Sequence, residues 1–436
     1  MNFANGDKIG VVTKDKKYDG IFIQSQNKDI ITIKLNSGYN IGLNKKEIKK
    51  IKLISKTKPE KKIFSSSINT NLKKISILHT GGTIASEVDY KTGAVFPRFN
   101  PEELVNMFPE LNDIASINSR FIGNMWSQDM RIVHYNILAR EIKKEIENGA
   151  KGVIVTHGTD TLHYTSAALS FALENLNVPV LLVGSQRSSD RGGSDARMNL
   201  LNAVYFAVHS DMKDVAICMH NSISDDYCAI LPGLKTRKMH TSRRDAFKPI
   251  NSKVWALVDY KKGEIKYIDK FFRRDATGNL QLRLFNEKIK VGLLKSYVNM
   301  DSKQFLFFKN YNGLVIESSG LGSLPTTNFD KYTKEHKKIF DALKNLIKKN
   351  VVVVLAPQTI YGRINLNVYS NQREMQEIGV LGHLNDMTPE TTFIKLYWLL
   401  SNYKKNEIKD LLTKNLRGEI NERLMADEFS VEFSKL

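Results

Sequence analysis

This chain lacks any segment that could cross a membrane as a helix. No apolar run in its 436 residues approaches the ~18 that a membrane helix needs. The densest run, Val351 to Pro357, has the length of a buried strand. The first residues, MNFANGDKIG, form no signal-peptide core, so the expected compartment is the cytoplasm. Cysteine is scarce. Cys218 and Cys228 are the only two, there is no C-x-x-C pair, and a reducing compartment favours two free thiols over a disulfide. The nine histidines show no metal-ligand spacing; His157 and His163 stand six residues apart across a loop and a helix start, and no metal site is expected. No tandem repeat is present.

Positive charge, by contrast, is abundant. The net charge is +19. Residues 1–74 carry 17 lysines against 6 acidic residues, a net of +11 and more than half of the total. A basic segment of this kind suits nucleic acid or an acidic partner. The chain is also rich in Lys, Asn and Ile throughout, so part of the excess is compositional.

The pattern divides the chain into five parts. In residues 1–54, Ile31, Ile33 and Leu35 alternate with polar residues. Asn36-Ser37-Gly38 signals a turn, after which Tyr39, Ile41 and Leu43 resume the alternation, and Gly20 to Ile23 gives an earlier strand. Short strands at this spacing predict a small basic β-barrel of the SH3 or Sm type. Residues 55–73, rich in Lys, Ser, Thr and Asn, read as a linker. Residues 74–265 alternate apolar strands (Ile75–Leu78, Val153–Val155, Val180–Val183, Val215–Met219) with helical stretches near Leu162–Leu176 and Ser194–Val208. This predicts an α/β domain with a parallel sheet covered on both faces. Residues 266–289 connect it to a second α/β domain with a helical tail, 290–436. There Leu314–Ile316 and Val351–Leu355 flank a helix near Lys331–Lys349, and Thr388-Pro389-Glu390 opens a late helix with Thr as N-cap and Pro in its first turn.

Two strands end in hydroxyl-bearing glycine loops, His79-Thr80-Gly81-Gly82-Thr83-Ile84-Ala85 and Thr156-His157-Gly158-Thr159-Asp160-Thr161. Loops at the carboxyl ends of parallel strands are where α/β proteins place their chemistry. The first loop lacks the glycine spacings of dinucleotide and P-loop sites. Residue by residue, each loop has a plainer reading: a turn for the first, a helix N-cap for Asp160, a strand-end hydroxyl for Thr159. His157 reads better as a structural loop histidine than as a base.

Taken together, TGGTIAS, WSQDM, GVIVTHGTDT, VGSQR and LLNA, in an ordered set across about residues 74–400, resemble the asparaginase/glutaminase family with a threonine nucleophile. That resemblance implies an asparaginase-like two-domain body. It implies two reacting threonines, Thr83 and Thr159, one in each glycine loop, since a threonine hydroxyl is a poor nucleophile without a partner to move its proton. It also implies a lysine from a later segment, held by Asp160. Lys238, nine residues before Phe247, matches that segment best. A half-buried lysine can act as a base, although Lys235, Arg237, Arg243 and Arg244 around it also read as a solvated basic loop. The implied reaction is attack of Thr83 on a side-chain amide, an oxyanion held by backbone N–H groups at Thr159, departure of ammonia, and hydrolysis of the acyl-enzyme. Ser127 and Gln128 match the binders of the substrate α-carboxylate and backbone, with an ordinary capping pair as the alternative. Asp160 would also face the substrate ammonium, and Tyr90 is the candidate for an assisting loop tyrosine.

The basic module ahead of the body, the linker and the run Gly184-Ser185-Gln186-Arg187-Ser188-Ser189-Asp190-Arg191 resemble the ammonia-releasing subunit family of archaeal Glu-tRNA(Gln) amidotransferases. The resemblance implies no cofactor in this chain. It implies a separate kinase-like transamidase subunit that carries ATP and Mg2+, Glu-tRNA(Gln) as the acceptor, glutamine or asparagine as the donor, and a homodimer within a heterotetramer. A stand-alone cytosolic L-asparaginase with an added basic domain is the alternative.

Overall fold

The computed structural model describes residues 3–4, 6–25, 27–35, 40–56, 72–82, 84, 86–88, 95–97, 107–189, 193–271 and 278–426. The turn at Asn36-Ser37-Gly38, with Tyr39, and most of the expected linker lie outside them.

Five antiparallel strands form the N-terminal module: β1 (Lys8–Thr13), β2 (Lys17–Ile23), β3 (Ile30–Leu35), β4 (Asn40–Asn44) and β5 (Ile48–Ser55). They pair in the order β4-β3-β2-β1-β5, with a short 3-10 helix, Lys45–Glu47, between the last two. The alternation read in β3 is the buried face: Ile31 and Ile33 join Ile9, Val11 and Leu43 in a small apolar cluster of their own. No pairing between β4 and β5 is present among the described residues, so these strands are the two edges of the sheet.

The body begins at β6 (Lys74–Gly81), whose residues from Ile75 onward are all buried. Two short strands, β7 (Ser86–Val88) and β8 (Val95–Pro97), form a hairpin after it. Then follow β9 (Ser116–Met125), β10 (Gly152–Thr156), β11 (Leu173–Glu174), β12 (Val180–Val183), β13 (Val215–His220), β14 (Cys228–Pro232), β15 (Thr236–Lys238), β16 (Phe247–Pro249), β17 (Ala256–Asp259) and β18 (Glu264–Tyr267). The large sheet runs β18-β17-β14-β13-β12-β10-β6-β9. Its five strands from β13 to β9 are parallel, as the continuous apolar runs predict. Beyond β13 the order turns antiparallel through β14, β17 and β18, so the sheet is mixed. The two expected helices are present as Leu162–Ala172 and Ala196–His209, and both are buried along most of their length.

The second block has a smaller, wholly parallel sheet: β20 (Val291–Lys295), β21 (Gly313–Ser318) and β22 (Val352–Pro357), reached through β19 (Gln281–Leu282), which pairs back onto β11. Helix Lys334–Lys348 covers one side. Helix Pro389–Asn402 starts as expected. Thr388 Oγ1 accepts the Thr391 N–H at 3.2 Å, and Pro389 sits where no N–H is needed. Buried on nearly every side, this helix fixes the second block to the first. Trp398 stacks on Phe171 with ring centres 5.2 Å apart, and one apolar cluster contains residues of both sheets. Cys218 and Cys228 are free, buried thiols.

Candidate active site

In the order β9-β6-β10-β12 the parallel strands lie side by side, so the segments that follow them gather at one edge of the sheet. The end of β6 carries a register shift between His79 and Gly81, which turns the chain out of the ladder. Gly81 and Gly82 have φ of +99° and +80°, a conformation that side chains with a Cβ resist. A Cβ on Gly82 would lie 2.4 Å from the Gly158 amide nitrogen. The glycine pair thus lets the first loop rest on the second, backbone to backbone. A Cβ on Gly158 would collide with Ser127, and one on Gly184 would lie 2.8 Å from Thr159 Cγ2. Four loops, after β6, β9, β10 and β12, therefore meet around Thr159.

Lys238 comes from the other side. Its hairpin pairs Lys238 directly opposite Phe247, a fully buried anchor, and the Met239 N–H reaches the Ala246 carbonyl at 2.6 Å. Residues of a strand alternate faces, and this alternation sorts the basic segment into two functions. Thr236 and Lys238 lie on one side. Lys238 Nζ donates to Thr159 Oγ1 at 2.8 Å and to Asp160 Oδ1 at 2.7 Å, with the lysine nearly buried and the Asp160 carboxylate mostly exposed. Lys235 and Arg237 point to the second block. Lys235 pairs with Asp386 at 2.9 Å, both wholly buried, and Arg237 pairs with Glu390 at 2.9 Å at the start of helix Pro389–Asn402. The segment is a two-faced strand, and the solvated-loop reading of Lys235 and Arg237 is corrected accordingly.

The residues expected at the site are distributed as follows. Thr159, Asp160 and Lys238 are in direct contact. Thr83 and Tyr90 lie outside the described residues; Gly82 and the buried Ile84 are described on either side of Thr83 in the chain. Ser127 is buried against Gly158, and its carbonyl accepts the Thr161 hydroxyl at 2.6 Å. Gln128, in the same short 3-10 turn, is exposed. The N-cap of helix Leu162–Ala172 is Thr161, which leaves the Asp160 carboxylate to Lys238. His157 is bonded through both ring nitrogens, to the Gly158 carbonyl and the Thr165 hydroxyl, and burial holds it down to about 4, so it stays neutral and structural.

Two features are not legible in the sequence. Asp195 holds the loop after β12, accepting the backbone N–H groups of Gln186 and Arg187. His163, lowered to about 4 by burial, lies 3.9 Å from Glu390 beside Arg237. Thr388-Pro389-Glu390 signals only a helix start, because the partner of Glu390 is set by tertiary packing.

Comparison with known proteins agrees with this fold. The family models for the asparaginase N-terminal domain and the glutaminase/asparaginase C-terminal domain match residues 74–272 and 290–412. A thermostable L-asparaginase from Thermococcus kodakarensis superposes with a TM-score of 0.70 at 27% identity, over 80% of this chain and 100% of that one. A probable cytoplasmic L-asparaginase from Campylobacter jejuni gives 0.65 at 27% identity, over 79% and 100%. The fold and the site define an amidohydrolase of the asparaginase class. Residues 3–54 match the GatD N-terminal domain. The GatD subunits of the glutamyl-tRNA(Gln) amidotransferases of Methanococcus maripaludis and Pyrococcus furiosus are 42% and 40% identical, each over 96% of this chain and 98% and 93% of their own. The chain belongs to the GatD family of glutamyl-tRNA(Gln) amidotransferase subunits.

Proposed function

We propose that this chain is the ammonia-releasing component of a tRNA-dependent amidotransferase. It hydrolyses the side-chain carboxamide of glutamine or asparagine. The observation that carries the reading is Lys238 Nζ bridging Thr159 Oγ1 and Asp160 Oδ1 at 2.8 and 2.7 Å. A lysine clamped by a carboxylate against a hydroxyl at the mouth of a parallel sheet is a device for moving a proton at that hydroxyl.

In this reading Thr83 Oγ forms a bond to the amide carbon and gives up its proton, and the carbonyl oxygen takes negative charge. Collapse of that intermediate breaks the C–N bond, the nitrogen takes up the proton that Thr83 gave up and leaves as ammonia, and an ester to Thr83 remains. Water, deprotonated through Thr159 and Lys238, then cleaves the ester to give the free acid and restores the threonine. Asp160 keeps Lys238 aimed at Thr159, and its exposed carboxylate faces the substrate ammonium. Ser127 and Gln128 sit on the adjoining loop to receive the substrate carboxylate. Tyr90 assists Thr83. A one-methylene difference is worth only ~1–3 kcal/mol in a pocket, about 10- to 200-fold, which leaves either amide as the donor.

Ammonia then passes to a separate transamidase subunit, which carries ATP and Mg2+ and amidates Glu-tRNA(Gln). The chain works as a homodimer within a heterotetramer in the cytoplasm. Identity over nearly the full length, basic module included, favours this over a stand-alone asparaginase. The test is ammonia release measured alone and with the partner subunit and Glu-tRNA(Gln). Stimulation by both is the expected result. Equal turnover in all conditions would favour the stand-alone enzyme.

A further inference from the structure

The N-terminal module carries a groove that the hydrolase chemistry does not use. It has a volume of about 590 Å³ and lies between β3, the 3-10 turn and the edge strand β5. Ile30, Ile31, Ile48 and Ile51 contribute its apolar surface. Phe3 and Phe22 meet in it with ring centres 5.8 Å apart and planes tilted by 56°. Lys28, Lys45, Lys49 and Lys50 line it as well, with Ser25 and Asn27 adding polar groups. No carboxylate lines the groove, and none of the four lysines makes an ion pair among the described residues.

We propose that this groove binds a single-stranded segment of RNA, with the lysines on successive phosphates and the Phe3–Phe22 pair against a base. Charge complementarity supplies the first argument, since four lysines without an ion pair among the described residues line one channel. The second is the mixture. Stacking platforms beside cationic walls are how proteins hold single strands without reading sequence. An acidic peptide would satisfy the lysines but brings no ring to lie against the half-buried aromatic pair. Lysines on an edge strand also discourage strand-to-strand aggregation, but that role needs neither an aromatic pair nor an apolar channel. This groove is separate from the hydrolase reading, because its lining residues fall between Phe3 and Ile51, outside the asparaginase-like body that begins at residue 74.

The experiment uses the full chain and a fluorescein-labelled RNA of mixed sequence, about twelve nucleotides long, within the ~4–16 that a small β module covers. Anisotropy is read across a salt series, with a poly-glutamate peptide as competitor. Four phosphate contacts predict a slope of log affinity against log salt of about −2.8, at ~0.7 per contact. The triple variant Lys45→Gln/Lys49→Gln/Lys50→Gln should reduce that slope by about 2 and weaken binding at least tenfold at low salt. Phe3→Ala should weaken binding roughly 5- to 100-fold without changing the slope, and Phe3→Tyr should restore it. Glutamine hydrolysis should be unchanged in all three. Absence of RNA binding, a triple variant with the parent slope, a Phe3→Ala protein with parent affinity, or displacement of RNA by poly-glutamate at equal concentration would each overturn the proposal.

Discussion

Replacing Lys235 and Lys238 by methionine should separate two functions that neighbouring lysines perform on opposite sides of the segment that forms β15. Lys235 and Asp386 are 3% and 0% exposed and 2.9 Å apart. The carboxylate's other hydrogen-bond donor among the described residues is the Asn421 backbone N–H, at a longer 3.3 Å. Lys235→Met therefore leaves a carboxylate in the interior without its counter-charge. Breaking a buried pair from one side costs about 3–5 kcal/mol, a large part of the ~5–15 kcal/mol that holds a typical domain together. The pair ties β15 to the second block, so the loss should appear as a denaturant midpoint well below that of the parent. At temperatures where the variant is still folded, ammonia release should stay within a few-fold of the parent. Lys235→Met/Asp386→Leu should recover much of the stability, because two apolar groups replace the pair without leaving a charge behind. Lys238→Met should do the reverse, keeping the parent's midpoint and losing activity by more than the ~10²–10⁴ of a single acid–base group. A Lys235→Met protein with full stability and no activity would refute the assignment of faces.

Other consequences follow from the same geometry. Gly82→Ala places a methyl group 2.4 Å from the Gly158 nitrogen at a φ of +80°, so it should abolish ammonia release while the body still folds; full activity would sink the close loop contact. Glu390→Gln weakens the hold on Arg237 and should lower kcat about tenfold, roughly 1.4 kcal/mol, with little change in KM; an unchanged kcat would show that Lys238 needs no support from the second block. His79, His157 and His163 are each lowered from 6.5 to about 4 by burial. The unfolded chain therefore binds more protons than the native one between about pH 6.5 and 4. The stability these groups contribute is complete above pH 6.5 and is lost as pH falls, about 1–2 kcal/mol each by pH 5. A protein equally stable at pH 5 and pH 7 would contradict this.

Local sequence carries much of the architecture. Continuous apolar runs mark β6, β10, β12 and β13, because strands buried on both faces need no polar alternation. The glycine loops are visible for a local reason too, since only glycine tolerates the backbone at Gly81 and Gly82. Thr388 and Pro389 announce their helix through capping chemistry confined to one turn. The antiparallel end of the large sheet is harder to read, since strand direction is set by pairing across the fold and the β15–β16 hairpin intervenes between β14 and β17. The roles of Lys235 and Arg237 are hidden in the sequence because their partners, Asp386 and Glu390, lie some 150 residues downstream in the chain. Lys238 can be matched by its distance to Phe247, a spacing that is the width of one hairpin.

The most direct test of the central claim is to trap the acyl-enzyme. The protein is mixed with glutamine, quenched in acid, digested and examined by mass spectrometry. The expected product is a glutamyl ester on the peptide carrying Thr83, absent from Thr83→Val, which should be folded and inactive. An ester on any other residue, or near-normal ammonia release by folded Thr83→Val, would contradict it.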